Sequence, residues 1–80
     1  MDHNLAYACV GYGAMRALRA RDFEREAFAL PACFILREAD PVQFCVDALE
    51  DSHPEWVAAD DAKTRKAIHS RLKSEARHCA

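Results

Sequence analysis

Cys45, Asp47 and His53 are the residues whose types could be drawn together as a nucleophile, an orienting carboxylate and a base. Thiolate catalysis needs a cysteine within hydrogen-bond reach of a histidine that a third group holds in place. The spacing argues against it here. Positions two apart on a helix differ by about 200° around the axis, so Cys45 and Asp47 face away from each other. Cys45 is expected in the core, and His53 in the first turn of a following helix. No catalytic residue is assigned, and a chain of 80 residues also argues against an enzyme.

Metal chemistry is the next candidate, because the chain carries four Cys and four His. Structural zinc sites use paired ligands at short spacing, and this sequence has neither Cys-x-x-Cys nor His-x3-His. Cys33 and Cys45 are separated by eleven residues, and His3 and His78-Cys79 lie at opposite ends. No metal or other cofactor is expected. Gly11-Tyr12-Gly13 lacks the third glycine and the strand context of a dinucleotide loop. The N-terminal Met1-Asp2-His3-Asn4 carries an acid where a signal peptide would carry positive charge. With no such signal, the four cysteines are expected as free thiols, Cys9 and Cys45 as small buried apolar groups.

Charge carries the clearest pattern. The formal total is −2, yet eight acids and no Lys or Arg fall between Glu38 and Asp61. Six bases and the single acid Glu75 then fall between Lys63 and Arg77. Four of the acids sit near expected helix N-termini, where the helix dipole favours them. Asp47, Glu50 and Asp51 have no such reason. A one-signed face steers association, so these three, with Phe44 at the edge, form a candidate partner-binding face. On the final helix a wheel groups Lys66, Lys73 and Arg77, with Lys63 at the edge, an arc able to follow a phosphate backbone. Neither aromatic interleaving nor a DNA-binding motif accompanies that arc, which makes nucleic acid the second choice of partner.

The elements that must position these residues are expected to be helices. Ala occurs 16 times and Val, Ile and Thr together seven times, a balance that favours helix over strand. Residues 4–29 are expected as a helical segment of two characters: apolar around nearly the whole circumference, and so buried, from Leu5 to Met15, and exposed with local ion pairs from Arg16 to Glu26. Gly11 and Gly13 weaken it unless another backbone approaches there, and a short strand over Leu5–Val10 is the local alternative. Pro31 should kink the chain or divide two helices inside the apolar cluster Phe28, Leu30, Phe34, Ile35 and Leu36. Asp40, Pro41 and Gln43 read as an N-terminal capping box, followed by the apolar face Val42, Cys45, Val46 and Leu49. Ser52 and Glu55 read as a second box before a short helix through Trp56, a residue expected mainly in the core. Asp60 or Asp61 should cap a last helix to Arg77, held by Ile68 and Leu72, with Arg65 snorkelling from the seam.

The chain is therefore expected to be a single all-α domain, a small bundle of three to five helices kinked near Pro31. Residues 51% hydrophobic and 30% charged exclude a disordered tail, a collagen-like repeat and a strongly basic nucleic-acid protein. The uncharged run Leu5–Met15 is far short of the roughly 20 residues that span a bilayer, so no membrane partner and a cytoplasmic location are expected. The expected function is a non-enzymatic adaptor or inhibitor that occludes a partner's surface. One concrete form is a phage or mobile-element inhibitor of a host nucleic-acid machine, anti-CRISPR-like, covering a basic groove. The alternative is a small DNA- or RNA-binding regulator using Lys63, Lys66, Lys73 and Arg77. A small core needs support, and a homodimer through the N-terminal helix and the Phe28/Phe34 region is expected over a monomer.

Overall fold

The computed structural model describes residues 2–20, 30–59 and 62–77. Over these the chain forms α1 (Asp2–Arg19), α2 (Pro31–Ile35), α3 (Pro41–Ser52), a 3-10 helix (Pro54–Ala59) and α4 (Ala62–Ala76). No strand occurs among the described residues, so the all-α expectation holds and the strand alternative over Leu5–Val10 does not. The charged run 21–29, Phe28 within it, and the capping candidates Asp60 and Asp61 lie outside the described residues.

Each helix start has a local cause. Leu30 is extended at φ −76° and ψ 138°, the conformation that a following proline imposes, and Pro31 opens α2. Asp40 is likewise extended, and its carboxylate accepts the Gln43 backbone N–H at 3.1 Å while Pro41 takes the first helical position. The capping box is only half made. The Gln43 side chain does not return to the Asp40 backbone; its amide nitrogen donates to Asp47 at 2.8 Å, and its oxygen accepts from Arg65. The second expected box is not made at all. Ser52 is the last residue of α3, and His53 terminates that helix by donating its backbone N–H to Leu49.

Helix α1 packs against α2, α3 and α4, so it is the element around which the others assemble. Its buried face is Ala6, Cys9, Val10, Gly13 and Ala17, all small or medium residues. Facing it are Phe34 and Ile35 of α2, Cys45, Val46 and Leu49 of α3, and Thr64, Ile68 and Leu72 of α4. Between α1, α3, the 3-10 helix and α4 a residual void of about 10 Å³ remains, lined by Leu5, Cys9, Val46, Leu49, Val57, Thr64 and Ile68. That is room for one water at most, so the core is close-packed.

Three expectations are corrected by this packing. Helix α1 is not buried on all sides: Tyr7 is 64% and Met15 48% exposed. Cys33 is disulfide-bonded rather than a free thiol, whereas Cys9 and Cys45 are free and buried. Phe34 is buried in the core, which removes it from any dimer surface.

The two glycines of α1 have opposite environments. A Cβ on Gly13 would lie 2.7 Å from the Cys45 Sγ and 3.3 Å from its Cα, so α1 and α3 touch there only because the side chain is absent. A Cβ on Gly11 would meet nothing within 4 Å. Substituting Gly11→Ala should therefore raise stability by about 0.5–1 kcal/mol through helix propensity alone. Gly13→Ala gains the same propensity but overpacks the contact, and should lower stability by about 1–2 kcal/mol. Urea unfolding of dilute protein checks both signs; the same sign for both would contradict the packing.

Candidate functional site

The capped helix α3 positions the acidic candidates. Counting 100° per residue, Phe44, Asp47, Glu50 and Asp51 share one arc, opposite Cys45 and Leu49. Their surroundings are unequal. Glu50 and Asp51 are exposed, and Asp51 lies 3.6 Å from the Arg16 guanidinium of α1. Asp47 is half-buried and tied through Gln43 to Arg65 of α4. Phe44 is half-buried beneath the Arg16 guanidinium, 5.3 Å from its ring centroid. It also borders a surface cavity of about 250 Å³ with Ala17, Ala20, Phe34, Ile35 and Glu38. The acidic face is thus continuous, but a base grips it at each side: Arg16 at Asp51 and Arg65 through Gln43.

The basic candidates are positioned by the thin seam of α4. Thr64, Ile68 and Leu72 are buried at four-residue steps, and Lys63, Lys66, Lys73 and Arg77 are exposed. Thr64 belongs to this seam although the sequence points only to Ile68 and Leu72. Arg65 keeps its stem beside the seam, but its head bonds to Gln43 of α3 rather than simply reaching water. Arg71 turns away from the basic arc, pairing with Glu75 at 3.7 Å and covering the Tyr7 ring at 4.9 Å.

A cluster that sequence reasoning missed joins α1 to the end of α3. His53 Nε2 lies 2.7 Å from the Tyr12 hydroxyl, and Nδ1 lies 3.3 Å from Glu55. With Glu55 accepting the Nδ1 proton, Nε2 is left to accept the Tyr12 O–H. The Trp56 ring stacks on the imidazole, with centroids 3.8 Å apart and 9° between planes. Trp56 is 45% exposed, so it is a surface aromatic and not a core residue. The Glu55 carboxyl is held below its ordinary range, first by its own backbone N–H and then by the His53 hydrogen bond. The order carboxylate, imidazole, hydroxyl resembles a nucleophile-activating set; the Nε2 contact ties the end of α3 to α1, and the Nδ1 contact ties His53 to the 3-10 helix that follows. The local signal was His53-Pro54-Glu55-Trp56; the partner Tyr12 is 41 residues away, and no spacing rule reaches it.

The cysteine candidate is inert by the same geometry. Cys45 is completely buried, and burial first, then Cys9 and Glu75, push its thiol from 9.0 up to about 12. The thiolate needed for attack is therefore not formed near neutral pH. Gly11-Tyr12-Gly13 lies inside α1, so it makes no phosphate loop. Among the described residues, no three His, Cys, Asp or Glu side chains converge to hold a metal, and no helix is long and apolar enough to cross a membrane.

Two outcomes follow from these groups. Because the folded state keeps the Cys45 proton beyond the unfolded value of 9.0, this stabilisation is complete below that pH and is lost as pH rises toward about 12. Alkaline unfolding should accordingly be steeper in the wild type than in Cys45→Ala; identical profiles would contradict a buried neutral thiol. Trp56 is the chain's one tryptophan, so its emission reports on His53 directly. Replacing the stacked ring by His53→Ala should change the wavelength and yield of that emission, and unchanged emission in the variant would refute the stack.

Comparison of the chain with protein-family models, with curated proteins and with solved structures gives no match.

Proposed function

We propose that this protein is a non-enzymatic interaction module that lays the outer face of α3 against a basic surface of another protein and blocks it. The observation that carries this reading is the placement of Asp47, Glu50 and Asp51 on one arc of a helix whose start is capped by Asp40. Charge held on a rigid element costs little ordering entropy on binding and steers encounter. Phe44 acts at the rim of this face, as packing beside Arg16, and not as a protruding anchor. A groove built for nucleic acid is the kind of basic surface that suits such a face, so the finer version is an inhibitor of a nucleic-acid machine, anti-CRISPR-like, encoded by a phage or mobile element.

A second reading has its own observation: Lys63, Lys66, Lys73 and Arg77 are exposed on the side of α4 opposite its buried seam. In that reading the chain is a DNA- or RNA-binding regulator.

One set of variants separates the two. Reversing Asp47, Glu50 and Asp51 to Lys removes one exposed ion pair, worth about 0–1 kcal/mol, and the part-buried Gln43–Asp47 hydrogen bond, worth about 0.5–1.5 kcal/mol, so the variant should unfold somewhat earlier but keep its helical circular dichroism. Proteins captured on the immobilised wild type through a basic surface should be lost on this triple variant. If they are retained, the leading reading falls. Replacing Lys63, Lys66, Lys73 and Arg77 with Gln should leave that capture intact. If instead the wild type retards DNA or RNA at low salt, with a salt slope that the four Gln substitutions flatten, the second reading replaces the first.

A further inference from the structure

The outward side of α1 is used by neither charged face. From Tyr7 to Leu18 it presents Tyr7, Ala8, Gly11, Ala14, Met15 and Leu18, with Tyr7, Gly11 and Met15 exposed and the other three half-buried. Two features of this side are not explained by packing among the described residues of one copy. The first is the exposure of two large apolar side chains, Tyr7 at 64% and Met15 at 48%, on the same helix face. The second is Gly11, which sits between them. It has no positive φ, and a Cβ there would touch nothing, so the isolated chain bears the helix penalty of glycine without any local return. The neighbouring Gly13 shows what such a glycine does in this fold: it lets another helix come within contact of the backbone.

We propose that this face pairs with the same face of a second copy, the two α1 helices crossing antiparallel at Gly11. The choice of a second copy rests on self-complementarity about that residue. An antiparallel crossing at Gly11 sets Tyr7 of one helix opposite Met15 of the other, and Ala8 opposite Ala14. A thioether against an aromatic ring is a favourable contact, and the alanines allow the close approach that Gly11 begins. Tyr7 is already held in place for this by the Arg71 guanidinium over its ring. Charge agrees with the direction. Helix α1 is headed by Asp2 and ends on Arg16 and Arg19, with no Asp, Glu, Lys or Arg between positions 2 and 16. Arg16 is occupied by Asp51, but Arg19 is exposed, and the antiparallel arrangement keeps the basic Arg16 and Arg19 ends of the two helices apart. The helix dipoles oppose in the same sense. A parallel pair would instead set like ends together.

The size of the face fixes the strength. Tyr7 to Leu18 spans about 16 Å of helix, so the buried area falls at or below the lower end of stable interfaces, near 1,200 Å² in total. The dimer is weak and forms with rising concentration.

Sedimentation equilibrium over a wide concentration range is the direct test. The wild type should pass from one copy to two copies as concentration rises. Met15→Glu should remain a single copy with unchanged helical circular dichroism. Gly11→Ala is the more discriminating variant: it should unfold later than the wild type when dilute yet dimerise at least tenfold more weakly. A wild type that stays a single copy up to millimolar concentration overturns the proposal, and so does a dimer that Gly11→Ala and Met15→Glu leave unchanged. Direction is read by cross-linking with a short thiol-reactive reagent. Tyr7→Cys mixed with Met15→Cys should give mixed dimers, whereas Tyr7→Cys alone linking to itself would refute the antiparallel crossing.

Discussion

The contact between Gly13 of α1 and Cys45 of α3 sets the geometry of this protein. At that point a helix backbone lies directly on the side chain of its neighbour, and no side chain larger than hydrogen fits at position 13. The small residues that follow the same stripe of α1, Ala6, Cys9 and Ala17, extend the close approach along the helix. Because so little volume comes from α1, the large core groups come from elsewhere: Ile35, Leu49, Ile68 and Leu72. The same closeness buries the Cys45 thiol and removes it from chemistry. A domain of this size depends on such economy, since its buried fraction is low and each lost contact is a large part of the total.

The charged surfaces follow from that packing. With Cys45, Val46 and Leu49 turned toward α1, the remaining arc of α3 must carry Asp47, Glu50 and Asp51 outward. With Thr64, Ile68 and Leu72 turned inward, α4 must carry its lysines outward. Asp51 is paired with Arg16 of α1, and the link from α4 reaches Asp47 through an uncharged glutamine. Among the described residues Cys45 is buried and His53 is bonded to Tyr12 and Glu55, whereas Glu50, Lys63, Lys66 and Lys73 are exposed, a contrast that supports the proposed interaction function.

What was legible in the sequence was local. Asp40-Pro41 announced a helix start because capping acts within one turn, and Val42, Cys45, Val46 and Leu49 announced its buried face because helical periodicity does the same. Pro31 marked an element boundary through its effect on Leu30. The misreadings came from residues whose partners are distant in sequence. Gln43 completes a capping box on paper but is drawn away by Arg65, which is 22 residues on. His53 and Trp56 looked like the start of a helix and a core anchor, yet Tyr12 fixes one and solvent reaches the other. Uniform apolarity over Leu5–Met15 hid the difference between the side that meets α3 and the side on which Tyr7 and Met15 stay exposed. Of the candidate site, the positions of the acids and bases were readable, but the bases that grip Asp47 and Asp51 were not.

The measurement closest to the centre of this account is a double-mutant cycle between positions 13 and 45, read by equilibrium unfolding. If the two backbones meet as described, the loss caused by Gly13→Ala depends on the sulfur opposite it. The destabilisation by Gly13→Ala should shrink by more than about 0.5 kcal/mol when Cys45→Ala is already present, since pairs in contact couple by that much or more. Strictly additive effects of the two substitutions would contradict the contact, and with it the arrangement that turns the charged faces of α3 and α4 toward solvent.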